Sequence, residues 1–227
     1  MGKLAYQFAH GLAAKRGSAH VAAGATGDGN GNADCTPFVD GCGTANPPTY
    51  ASGTLAETSI AMDATGRHIV VAFNDFRGFD LNPLSIAGYM YSDDGGKTFS
   101  DGGQLPVAAT GQLKDGTQLP EVFGDPDVKY VPGGNGCQFV YSTILDQGFG
   151  AAPDYTASTE TLGVYRSTDC GHTWTGPFEV TSASNPHGNL TQSGKPTDAA
   201  DKELMDVDPF SGRVLLSWTN FTNPNLI

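Results

Sequence analysis

The stretch that decides the fold is S-D-D-G-G-K-T-F, Ser92 to Phe99. It ends an apolar run, Ile86 to Tyr91, and returns as S-T-D-C-G-H-T-W, Ser167 to Trp174, behind a second run, Leu162 to Arg166. A local spelling that recurs at this distance marks an internal repeat. Each copy reads as a tight turn between strands. Asp94 and Asp169 can accept hydrogen bonds from nearby backbone N–H groups, as Asx turns do. Gly96 and Gly171 suit backbone angles that a Cβ forbids. Ser92, Thr98, Ser167 and Thr173 add hydroxyl partners, and Phe99 and Trp174 turn inward as apolar plugs. The turns are therefore read as structural, despite their carboxylates.

Working outward, three longer segments align. They begin at Glu57 (E-T-S-I-A-M-D), at Asp125 (D-P-D-V-K-Y-V) and at Asp201 (D-K-E-L-M-D-V). Each has an acidic start, a short apolar strand, a Gly-containing turn and a strongly apolar second strand. The second strands, His68–Phe73, Cys137–Ile144 and Arg213–Trp218, are rich in β-branched and aromatic residues, as strands prefer. In the first two units a third strand leads into the recurrent turn. A fourth leaves it, over Gln104–Ala108 and Pro177–Thr181. Four antiparallel strands per repeated unit is the pattern of a β-propeller blade. The expected blades span 57–110, 121–182 and, with two strands only, 201–227. Residues 1–56 are rich in Ala, Gly, Asn and Thr and read as an irregular N-terminal arm.

Composition supports an all-β chain. The 227 residues include 31 Gly and 14 Pro, which suits short strands and tight turns, and 38% are hydrophobic, enough for a core. The formal charge of −12, from 24 acidic and 12 basic residues, argues against a nucleic-acid groove. No apolar run is long enough for a membrane-spanning helix. No signal peptide is visible at the N-terminus.

The two turns resemble the Asp-box, or BNR repeat, of sialidase-like β-propellers. The match is complete at Ser92, Asp94, Gly96, Thr98 and Phe99, and again at Ser167, Asp169, Gly171, Thr173 and Trp174. The resemblance covers about residues 57–227 and implies a partial propeller of about two and a half blades. The open edges of blade three then need cover from further blades, a second chain or the arm. The blade arrangement brings Cys137 and Cys170 together and predicts a disulfide between them. A second, Cys35–Cys42, would close a short loop in the arm. Disulfides imply an extracellular, surface or periplasmic location.

In a propeller the first strand of each blade lines the axial channel. The candidate cleft residues are Glu57, Arg77, Glu121, Asp125, Asp127, Asp201, Lys202 and Glu203. Carboxylates converging there suit acid/base work on a glycosidic bond, cation binding, or simple capping of strand ends. Sialidases, by resemblance, use an arginine trio whose first member lies in an R-I-P motif, with an Asp and a Tyr–Glu pair. No R-I-P occurs here, and Arg77 is the nearest substitute. The arm holds alternating oxygen side chains at Asp28, Asn30, Asn32 and Asp34. They allow a loose Ca²⁺ loop without the Glu of an EF-hand, or a polar linker. The expected function is a binding or structural propeller with a glycan or protein ligand. The alternative is a glycoside hydrolase of the sialidase-like superfamily.

Overall fold

Ile69-Val-Val-Ala-Phe-Asn-Asp75 is dominated by β-branched and apolar residues, and all seven side chains are buried. Such a run has no solvent face and belongs inside a layered structure. A computed structural model of the protein describes residues 55–133, 137–181 and 199–221. The first sheet contains β1 (Leu55–Met62), β2 (Ile69–Asp75), β3 (Ala87–Ser92) and β4 (Ser100–Gln104), paired antiparallel in that order. A 3-10 turn, Phe76–Asp80, follows β2. Next come β5 (Gly111–Leu113), β6 (Gln118–Leu119), β7 (Glu121–Val131), β8 (Gln138–Phe149), β9 (Asp154–Tyr155), β10 (Ala157–Ser167) and β11 (Thr175–Glu179). Strands β7, β8, β10 and β11 repeat the antiparallel meander of the first sheet. The short β5 pairs with β6 on one side and, in parallel, with β9 on the other. Finally, β12 (Ala199–Val207) pairs antiparallel with β13 (Val214–Phe221).

The chain is all-β, with several antiparallel sheets and no α-helix among the described residues. No helix there is long and apolar enough to cross a membrane. Three details correct the sequence reading. The fourth strands are Ser100–Gln104 and Thr175–Glu179, earlier than Gln104–Ala108 and Pro177–Thr181, because the recurrent turn closes at once and pairing resumes behind its aromatic. The β8–β10 hairpin extends well past Ile144, to Phe149. The three-stranded sheet of β5, β6 and β9 has no counterpart in the repeat pattern. Cys35–Cys42 and the oxygen-rich stretch from Asp28 to Asp34 lie outside the described residues.

The two four-stranded sheets share one core. Val70, Ala72 and Tyr89 from the first pack with Val128, Phe139, Tyr141, Leu145, Tyr165 and Trp174 from the second. Trp174 meets Tyr89 and Tyr141 edge-on, each at a centroid distance of 5.7 Å. The tyrosine hydroxyls are satisfied by backbone: Tyr141 donates to the Gly88 carbonyl at 3.1 Å and Tyr165 to the Pro106 carbonyl at 3.2 Å. On the far face of the second sheet, Ile144 and Leu162 pack with Ala200, Leu216 and Trp218 of β12 and β13. This places the three first strands, β1, β7 and β12, beside one another.

The recurrent turns close on themselves. Asp94 Oδ1 accepts from the Lys97 and Thr98 N–H groups, each at 2.9 Å, and Oδ2 from the Thr98 hydroxyl at 2.8 Å. Asp169 repeats this with the Thr173 N–H at 2.9 Å and its hydroxyl at 2.6 Å. Ser92 and Ser167 accept from the Gly96 and Gly171 N–H groups. Burial would raise both carboxyls, but these hydrogen bonds outweigh it and hold Asp94 and Asp169 below the usual carboxylate range. The plugs diverge: Trp174 enters the core between the sheets, whereas Phe99 packs half-buried on Ile69, Val71 and Phe73 at the outer face. Cys137 and Cys170 form a disulfide, with Cα atoms 4.8 Å apart.

Candidate functional site

Each first strand carries a bulge at the same place. Register shifts fall between Ala56 and Ser59 in β1, Gly124 and Asp127 in β7, and Asp201 and Leu204 in β12. At each bulge one non-glycine residue adopts a left-handed backbone: Glu57 at φ 52°, Asp125 at φ 51° and Lys202 at φ 54°. Such a residue costs on the order of 1–3 kcal/mol, and such strain gathers at functional sites. The three side chains meet. Lys202 Nζ lies 3.1 Å from Glu57 Oε2 and 2.8 Å from Asp125 Oδ2. The structure therefore corrects the sequence alignment by one residue in the third unit, where Lys202, not Asp201, is equivalent to Glu57 and Asp125. One ammonium joins two carboxylates where three acids were expected. The acidic starts lie within the bulged first strands themselves.

Asp127 ties the three units together. It accepts from the Ser59 hydroxyl of β1 at 2.7 Å, from Lys129 in its own strand, and from the Met205 N–H of β12 at 2.6 Å. Asn74 of β2 accepts from the Asp125 N–H at 3.0 Å and supports the β7 bulge. A Cβ on the neighbouring Gly124, at φ 94°, would strike the Asn74 amide. Arg77 is held by two carboxylates: its Nε and NH2 reach Asp75 and its NH1 reaches Asp101 Oδ2 at 2.7 Å. Asp75 is fully buried, and these partners raise the Arg77 pKa further despite its desolvation.

Beside this cluster runs a row of acids. Asp146 on β8 lies directly opposite Glu121 on β7 and opposite Glu160 on β10. Directly opposed residues share a face, so the three carboxyls stand side by side across three strands. Burial raises all three, and neighbouring carboxylates push Glu121 and Glu160 the same way. Glu160 feels Asp201 and Asp125, so the row continues into the bulge cluster. Sequence reasoning missed Asp146 and Glu160. Both sit in apolar or Thr-rich strands, and only the pairing register reveals them.

Protonation is uneven across the cluster. A hydrogen bond with Asp125 raises Glu57, with desolvation adding to it. Burial would raise Asp125 too, but the hydrogen bonds from Glu57 and Lys202 prevail and lower it. Glu203 is the most perturbed acid. It is 2% exposed, and neither carboxyl oxygen has a hydrogen-bond partner. Burial pushes its pKa up to about 9; Asp125, Asp201 and Asp127 push the same way, and the opposing pull of its own backbone N–H is too weak to offset them. At neutral pH the cluster thus combines a buried neutral acid, an ionised Asp125 and an exposed ammonium. It can donate and accept hydrogen bonds to a polar ligand, and its net charge is negative.

In comparisons with known proteins, no family model matches the chain, and no curated protein matches it.

Proposed function

We propose that this chain builds blades of a sialidase-like Asp-box β-propeller, and that the acidic mouth around Lys202 binds a neutral, hydroxyl-rich glycan outside the cell or at its surface. The observation that carries the reading is the in-register row of Glu121, Asp146 and Glu160, with Asp125 and Asp201 of the bulge cluster close enough to raise Glu160. Like charges placed directly opposite one another destabilise a sheet. A fold that keeps them gains nothing in stability, so a ligand role accounts for them better. Sugar hydroxyls donate to carboxylates, and Lys202 supplies a donor in return. The same field repels a ligand carboxylate, which disfavours a sialoside.

Support for the propeller comes from two meanders of identical strand order, each with its S-x-D-x-G-x-T turn, and from the first strands of three units meeting at Asp127. The disulfide supports an oxidising location. A hydrolase is the second reading. It is favoured by carboxyls whose environments push their pKa values apart, as acid/base pairs require. The engagement of Arg77 by Asp75 and Asp101 weighs against a sialidase. Incubation with a panel of neutral and sialylated oligosaccharides, followed for both binding and bond cleavage, separates the readings. Binding of neutral members without cleavage is expected. Cleavage that disappears on Asp125→Asn would establish the hydrolase instead.

A further inference from the structure

The turns that end the two four-stranded sheets come together away from the acidic mouth. His68 immediately precedes β2, Cys137 immediately precedes β8, and Cys170 lies in the second recurrent turn. A ring nitrogen of His68 and the two sulfurs all lie within 4.8 Å of one another, and all three residues are half-buried. Asp93 Oδ1 is 2.9 Å from His68 Nδ1 and 3.0 Å from His172 Nε2. The disulfide joins two points of the second unit, whereas His68 and Asp93 belong to the first.

We infer that Cys137, Cys170 and His68 form a redox-gated metal site, which holds a thiophilic divalent cation such as Zn²⁺ when the disulfide is reduced. Zinc takes Cys sulfur at about 2.3 Å and His nitrogen at about 2.0–2.1 Å in tetrahedral geometry. Ligand atoms on one such ion lie roughly 3.5–4 Å apart, a separation this cluster reaches with a small shift once the S–S bond is gone. Asp93 supplies the outer shell. A carboxylate on one imidazole nitrogen fixes the tautomer and makes the other nitrogen a better ligand. The fourth position is open to water.

The balance is simple. A water-soluble phosphine gives two electrons to the disulfide and takes oxygen from water. The S–S bond breaks, and the two water protons end on the sulfurs. The cation then displaces those two protons to solvent and binds both thiolates. The ion links the first unit to the second, which the disulfide does not.

The test uses Co²⁺, whose thiolate charge-transfer absorption reports sulfur ligation. The full chain carries Cys35→Ser and Cys42→Ser, so that no other thiol competes. After phosphine reduction, uptake of one Co²⁺ per chain with a thiolate band is expected, absent before reduction and bleached by Zn²⁺. His68→Asn is expected to weaken uptake at least tenfold, and Asp93→Asn about tenfold or more. Absence of the band after reduction overturns the proposal. So does a band that neither variant alters. A chain that loses its strand circular dichroism on reduction, and does not regain it with Zn²⁺, overturns it as well.

Discussion

A carboxyl that is 2% exposed and has no hydrogen-bond partner is costly to ionise. Glu203 therefore keeps its proton in the folded protein up to about pH 9, whereas the unfolded chain releases it near 4.5. Between those values the unfolded state binds fewer protons, so folding stability falls as pH rises. The slope is about 1.4 kcal/mol per pH unit for this group, and stability is fullest below pH 4.5. Glu203→Gln cannot ionise. Denaturant unfolding from pH 5 to 9 is expected to lose this part of the slope and to show a variant more stable by about 3 kcal/mol near pH 7. An unchanged pH profile would mean that Glu203 is solvated. The bulge residues give a second test at this scale. Glycine inside a strand ordinarily costs about 0.5–1 kcal/mol. At Glu57, with φ 52°, it removes strain instead, and its exposed ion pair with Lys202 is worth little. Glu57→Gly is expected to unfold at the same denaturant concentration as the parent or higher.

Among the elements, the disulfide fixes the entry of β8 to the turn behind β10 across a sequence separation of 33. Closing a loop of that size in the unfolded chain is worth about 3–4 kcal/mol. Cys137→Ser, measured under non-reducing conditions, is expected to lose about that much, chiefly as a lower unfolding midpoint. At this level much was legible in the sequence. The apolar runs and the recurrent turn located the first, second and third strands of the units and placed each fourth strand two to four residues too late, and the strand-end argument paired Cys137 with Cys170. What stayed hidden was register. A bulge inserts a residue without changing composition, so in the sequence Asp201 falls where the structure puts Lys202. The row of Glu121, Asp146 and Glu160 was hidden for the same reason: three acids far apart in sequence become neighbours only through pairing. Short strands such as β5 and β9, of three and two residues, carry no periodicity to read.

For the whole molecule, the shared core predicts cooperative unfolding. Trp174 comes from the second sheet and packs on Tyr89 of the first and Tyr141 of its own. Trp174→Ala is expected to cost about 3–5 kcal/mol while calorimetry still shows one transition, because both sheets lose the same core. The acidic mouth is also a property of the whole, since it exists only where β1, β7 and β12 meet. Its sign is the central claim, and charge-matched ligands test it most directly. The measurement is calorimetric titration of the chain with a neutral galactose-terminated oligosaccharide and with the same oligosaccharide capped by sialic acid. The neutral sugar is expected to bind at least tenfold more tightly, a difference of about 1.4 kcal/mol, and the gap should narrow as salt screens the carboxylates. Tighter binding of the sialylated sugar, or equal binding of both at low salt, would contradict the account.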